Sequence, residues 1–277
     1  MQENLTAKAY RLRQHVLDII MAGKGGHIGG DMSVIDVLVT LYFDQMNISP
    51  ENQNDPRRDL FVLSKGHAVE AYYAVLAEKG FFPYEEVLAK FSKFGSPFIG
   101  HPNNKLPGIE MNSGSLGHGL PVSIGMALAA RMDGRPTRVY TVMGDGELAE
   151  GSVWEGAMAG GHYKLDNLCA VVDRNRLQIS GTTEQVMTQD DQCTRWAAFG
   201  WHTISVDGNS IPALHAAFEE AKATKGKPTV IIANTVKGCG SPVMENKAAW
   251  HHKVPTAEEY AQIMADLKAR EEAALHE

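Results

Sequence analysis

A chain of 277 residues with 44% hydrophobic and 21% charged residues carries enough apolar material for one large or two small globular domains. That excludes intrinsic disorder, collagen-like repeats and a disulfide-stapled miniprotein. The formal net charge is −7 and no Lys/Arg run is present, so the chain has no electrostatic footprint for nucleic acid or for an anionic membrane.

Six apolar positions, Leu5, Ala9, Leu12, Val16, Ile19 and Ile20, recur at helical spacing and predict a helix from Leu5 to Met21 that stops at Gly23. After the glycine-rich stretch 23–30, Ser33 is expected to cap a second helix running through Ile35, Leu38, Val39 and Tyr42, with a polar loop over 47–58. From Leu60 onward short apolar runs alternate with helical stretches. The runs lie at 60–63, 139–143, 168–172, 202–206 and 229–233, and this alternation predicts a parallel sheet. Because each run is apolar almost throughout, helices should cover both faces, giving a doubly wound α/β fold. A helix is expected from about Ser152 to Tyr163, and the Thr256/Glu259 capping box opens a last helix over 256–275.

No repeat or linker interrupts the chain, so the simplest parse is a single domain, 1–277, with an N-terminal helical segment 1–58. The cysteines, Cys169, Cys193 and Cys239, are odd in number and form no CxxC. The amino terminus lacks a basic stretch leading into an apolar one, and no apolar run nears the ~20 residues of a membrane span, so a cytoplasmic protein is expected.

The segment richest in chemistry begins where Met143 is followed by Gly144-Asp145-Gly146-Glu147. The next expected strand ends in Asp173-Arg174-Asn175-Arg176-Leu177. A carboxylate at one strand end and an amide oxygen at its neighbour's would lie side by side in a parallel sheet. Flanking glycines admit a ligand close to the backbone, and a following helix would aim free amides at it. Such a set suits a hard divalent ion bridging to a diphosphate.

Gly-Asp-Gly followed after about thirty residues by Asn resembles the cofactor motif of thiamine-diphosphate enzymes. Further segments, in order, resemble the transketolase family: Gly26-His27-Ile28-Gly29-Gly30, Leu63-Ser64-Lys65-Gly66-His67, Gly100-His101-Pro102, Gly114-Ser115-Leu116-Gly117 and Trp250-His251-His252-Lys253. The resemblance implies that Asp145, Asn175 and the Leu177 carbonyl hold Mg²⁺ or Ca²⁺, with Gly146 and Glu147 beside the diphosphate. It implies His67 and His251 at the diphosphate or reacting centre, Gly114 and Leu116 on the aminopyrimidine, and Ile179 packed against the cofactor. His27 and His101 would bond a sugar substrate, and Glu150 and Glu155 match family acids toward a subunit interface.

The implied activity is transfer of a two-carbon ketol unit from a ketose, or its phosphate, to an aldose. The family's pyrimidine-binding domain, with its cofactor-activating glutamate, has no counterpart here. That implies a split transketolase: this would be the amino-terminal subunit, working with a C-terminal partner subunit in a dimeric or α2β2 assembly. Three positions depart from the family pattern: Asp31, Val69-Glu70 and His118. Asp31 would either face the sugar or cap the helix expected near Ser33. The alternatives are half of a deoxyxylulose-phosphate synthase-like enzyme, the α subunit of a 2-oxo-acid dehydrogenase, or a homologue without cofactor or catalysis. A dinucleotide oxidoreductase is excluded because no GxGxxG follows the first strand.

Overall fold

The computed structural model describes residues 4–189 and 191–276, so the first three positions and the last of the expected domain lie outside the described residues. The strands are β1 (Leu60–Leu63), β2 (Val139–Gly144), β3 (Leu168–Arg174), β4 (Leu177–Gln178), β5 (Gly181–Thr182), β6 (His202–Asp207) and β7 (Thr229–Asn234). The α-helices are α1 (Leu5–Gly23), α2 (Ile28–Thr40), α3 (Val69–Lys79), α4 (Tyr84–Lys90), α5 (Gly119–Met132), α6 (Gly151–His162), α7 (Thr183–Val186), α8 (Gln192–Ala198), α9 (Ile211–Ala223) and α10 (Ala257–Leu275). Five strands form one all-parallel sheet in the order β1-β2-β3-β7-β6, and β4 and β5 make a small antiparallel hairpin.

The sheet is buried on both sides because successive side chains alternate between two apolar layers. Tyr140, Val142, Cys169, Val171, Ile231 and Ala233 pack in one layer with α1, α2, α3, α9 and α10. Val139, Met143, Leu168, Ala170, Val172, Val230 and Ile232 pack in the other with α5, α6 and α8. The expected doubly wound α/β architecture is therefore what forms, each strand running at most two residues beyond its apolar run. Thr256 and Glu259 close a reciprocal capping box at the start of α10, as expected. Among the described residues no helix is long and apolar enough to cross a membrane, and all three cysteines are free thiols.

Two local expectations fail. Helix α2 begins at Ile28, five residues before Ser33, and its N-cap is His27 without a side-chain cap bond. Ser33 is fully buried inside the helix, its hydroxyl donating to Asp173 Oδ2 (2.6 Å) while lying 3.0 Å from the Gly30 carbonyl. A distant carboxylate thus satisfies the hydroxyl that would otherwise favour a helix start. Glycines at the first turn allow the early entry, since a Cβ on Gly29 would lie 2.6 Å from the Trp250 carbonyl oxygen. Asp31 accordingly does not cap α2; its Oδ1 accepts from the Ala71 amide in the first turn of α3. The hairpin β4–β5 is also unexpected, because two-residue strands carry no readable period.

A fully buried Arg13 ties α1 to α2, donating to the Met32 carbonyl (2.9 Å) and to Asp36 Oδ2 (2.5 Å). Arg13→Ala leaves Asp36 buried with only the Asn209 amide as donor (2.7 Å). We expect it to lower stability by about 3–5 kcal/mol, the cost of breaking a buried ion pair, measured by urea unfolding.

Candidate active site

The register that pairs Gly144 with Asp173 brings the carboxyl ends of β2 and β3 side by side. Asp145 and Asn175 lie just beyond them, both at least nine-tenths buried. They open onto a cavity of about 320 Å³ lined by His27, His67, Gly114, Leu116, Asp145 and Gly146, together with Glu147, Asn175, Leu177, Ile179 and His251, while His101 of the expected set lies outside the lining. Lys65 and Lys237 line it as well.

Asp145 Oδ2 accepts from the Arg176 amide (2.5 Å) and Oδ1 from the Gly146 amide (2.8 Å). Burial, then the charge of Asp173, pushes its carboxyl up to about 6. Asn175 Oδ1 accepts from the Leu177 amide (3.2 Å). The Leu177 carbonyl accepts from Lys237 Nζ (2.9 Å), which also meets His251 Nδ1 at 2.8 Å. Burial, followed by the repulsion of Lys65, brings the Lys237 ammonium down to about 8.

Glu147 braces the cavity wall. One carboxylate oxygen takes the Ser64 hydroxyl and the Gly117 amide (2.8 Å), and the other takes the Gly144 amide (3.0 Å). The Ser64 hydroxyl in turn accepts from the Gly119 amide at the start of α5 (3.1 Å). The Gly114 backbone lies so near His101 that a Cβ there would sit 3.2 Å from the ring, at a φ of +156° that favours glycine.

Four histidines expected from separate motifs converge. The His27 ring lies 5.3 Å from His67, 6.3 Å from His101 and 5.6 Å from His251, centroid to centroid. Burial lowers all four, with the charges of neighbouring histidines and lysines adding to it at His27, His67 and His251. His27 falls to about 4 and His251 to about 3, so the rings are neutral at pH 7 and each offers one donor and one acceptor.

Some expectations are not met. Helix α6 starts at Gly151, close to the expected Ser152, but a single tight turn over Gly146–Ala149 separates its free amides from Gly146. Glu150 and Glu155, expected toward a subunit interface and not in the cavity, are exposed and lie outside its lining. Asp31 is fully buried and bonded to the Ala71 amide (3.0 Å), so it does not face a sugar.

Residues that the sequence motifs do not single out also belong to the site. Lys65 donates to the Gly30 carbonyl (3.0 Å) and Asp173 Oδ2 (2.5 Å). His252, exposed and outside the cavity lining, packs edgewise on His27 at 4.7 Å, a fifth imidazole behind the cluster. Its adjacency to His251 is the only local signal that could have found it; Lys237 has none.

The chain matches the family model described as "Transketolase, thiamine diphosphate binding domain" over residues 3–273. It is similar to one of the subunits of the apulose-4-phosphate transketolase of Phocaeicola vulgatus, 47% identical over 97% of this chain and 95% of that one. It is also similar to 6-deoxy-6-sulfo-D-fructose transketolase subunit SqwG of a Clostridium species, 41% identical over 96% and 97% of the two chains. Among solved structures, transketolase from Leishmania mexicana superposes with a TM-score of 0.88 at 28% identity, across all of this chain but only 46% of that one. With the doubly wound sheet and the converged histidine motifs, these likenesses establish that the chain belongs to the transketolase family of transferases, as a subunit comprising its thiamine-diphosphate-binding domain.

Proposed function

We propose that this chain is the diphosphate-binding half of a two-chain transketolase, holding thiamine diphosphate and Mg²⁺ or Ca²⁺ at the carboxyl ends of β2 and β3. The observation that carries the reading is the one cavity that Asp145, Asn175, Leu177, His27, His67 and His251 line together.

The donors fit a metal diphosphate. Among the described residues no group of three or more His, Cys, Asp or Glu side chains could hold a metal ion. A cation here would take the Asp145 carboxylate, the Asn175 amide oxygen and the Leu177 carbonyl, and complete its shell from diphosphate and water, which suits a hard ion. It would also relieve the repulsion between Asp145 and Asp173. Gly146 would offer its amide, and His67 and His251 would contact the diphosphate or the reacting centre. The backbone at Gly114 and Leu116 would hold the aminopyrimidine, and Ile179 would pack against the bent cofactor. Thiamine diphosphate, once bound, supplies the electron sink for breaking the bond beside a ketose carbonyl, so that the two-carbon unit passes to an aldose. His27 and His101, as neutral imidazoles, can donate to one sugar hydroxyl and accept from another.

Two features favour a separate partner chain. The carboxylates lining the cavity, Asp145 and Glu147, have all their oxygens engaged, so neither is free to move a proton. Ile179, at the rim, is 75% exposed. The proton-transferring glutamate and the covering wall would come from the pyrimidine-binding chain, with Glu150 and Glu155 at that boundary and two copies of each chain in the assembly. The lysines lining the cavity are likewise committed, Lys65 to Asp173 and Lys237 to Leu177 and His251. The anionic tail of a sugar phosphate would then be held mainly by the partner. That accords with relatives of similar sequence being named for two different anionic sugars.

The purified chain should show no ketol transfer alone and gain it on mixing with a C-terminal transketolase subunit; turnover by the chain alone would refute the two-chain reading. A pyruvate donor in that assay would point instead to deoxyxylulose-phosphate synthase-like chemistry. Asp145→Asn should weaken Mg²⁺-dependent binding of thiamine diphosphate at least about tenfold by calorimetry. His101→Ala should raise KM for the sugar about fivefold, one hydrogen bond's worth, with cofactor affinity unchanged.

A further inference from the structure

Two departures from the family pattern turn out to be each other's partners. Asp31 in the first turn of α2 and Glu70 in the first turn of α3 are at most 1% exposed, and their carboxyl groups meet where the two helices pack. Donors are scarce around them. Asp31 Oδ1 accepts from the Ala71 amide, Asp31 Oδ2 has no donor, and the Glu70 oxygens have near them only the backbone amides of His27 and of Glu70 itself, neither in good hydrogen-bonding geometry.

The neighbouring elements supply no free counter-charge. The groups that face the pair are Lys65, before α3, Tyr73 on α3 and the backbone of His27. Lys65 Nζ is engaged by Gly30 and Asp173, and the Tyr73 hydroxyl donates to the Ile99 carbonyl (2.9 Å). Two ionised carboxylates in contact and out of water repel strongly. One therefore keeps its proton at neutral pH and donates it to the other, so the pair titrates as a unit. Burial raises both carboxyls, and at Glu70 the charge of Asp31 raises it further.

The position gives the pair its consequence. Gly26 rests directly on Glu70: a Cβ there would lie 2.6 Å from Oε1, at a φ of +159°. Gly26 immediately precedes His27, and the turn Gly66–Ala68 that carries His67 leads straight into α3. The pair thus lies beneath the two loops whose rings stand 5.3 Å apart above it.

We propose that Asp31 and Glu70, sharing one proton, form a positioning clamp that holds the His27 loop against the His67 turn, and that loss of this proton frees the loops from each other. The inference rests on His27 and His67 serving the site as proposed above. The sign follows from linkage. The folded pair binds more protons than the unfolded chain between the ordinary carboxyl range and its own raised pKa, so its contribution to stability declines as pH rises through that window. Above it, like charges push the loops apart.

Three measurements compare the wild type with the Asp31→Asn/Glu70→Gln double variant, which keeps an amide bond and removes the titration. Infrared spectroscopy of the full chain at pH 7 should show a protonated-carboxyl band that the variant lacks. Urea unfolding should show wild-type stability falling from pH 5 to 9 relative to the variant. In the reconstituted enzyme, wild-type kcat/KM should fall by up to about tenfold per pH unit above the pair's pKa, the limit for one essential proton, while the variant stays flat. Absence of the band, or parallel stability curves, would overturn the shared proton. A band with superimposable pH–rate profiles would overturn the positioning role. If neither protein transferred a ketol unit, the proposed function would fail, and the infrared and unfolding data on the chain alone would still decide the clamp.

Discussion

The ion pair between Lys65 and Asp173 is the interaction on which the site's geometry depends. Both side chains are at most 1% exposed, with 2.5 Å between Nζ and Oδ2. Burying two charges costs several kcal/mol per ion unless every remaining lone pair and proton is satisfied. Most of them are satisfied here: Ser33 and Thr235 donate to Asp173, and Lys65 also donates to the Gly30 carbonyl. Burial alone would raise the Asp173 carboxyl, but Lys65 and these donors hold it below its ordinary value. The five groups come from the end of β1, from α2, from β3 and from the segment after β7. One carboxylate at the tip of the central strand therefore fixes four stretches of chain that share no sequence neighbourhood.

The same convergence explains the neutral histidines. Lys65 and Lys237 stand among imidazoles that burial has already discharged, so positive charge in the cavity is carried by ammonium groups and not by the rings. The rings are left as two-sided hydrogen-bonding groups. Orientation becomes their main contribution, and the packing of the loops that bear them becomes chemically important.

What could be read from the sequence follows a physical division. The runs of β1, β2, β3 and β7 are legible because burial on both faces makes each nearly all apolar, the edge strand β6, where only Ile204 is buried, because it continues the strand–helix alternation, and the Asp145/Asn175 pairing because adjacent parallel strands end together. Glycine-rich histidine motifs keep their local pattern. Lys237 and Asp173 are not legible as site residues, since their partners lie on other strands and only the β1-β2-β3-β7-β6 order brings them together. Ser33 misleads for the same reason: a serine near a helix start reads as a cap, yet its hydroxyl is claimed by a residue 140 positions away. Asp31 and Glu70 each read as an oddity until α2 packs on α3.

The parallel sheet also divides the molecule into two ends of unequal tolerance. At the carboxyl ends of β2 and β3 a one-residue slip would exchange Arg174 for Asn175 and turn every following side chain to the opposite face. At the amino ends of β2 and β7 the connections pass through Gly134 and Gly226, where nothing lies within 4 Å of an added Cβ. The two glycines themselves keep φ values of +64° and +72° that favour glycine, but the exposed residues beside them can vary without moving a single group of the cavity. Those two turns are therefore the natural places to attach a fluorophore, a surface tether or a second protein while leaving the chemistry at the far end undisturbed.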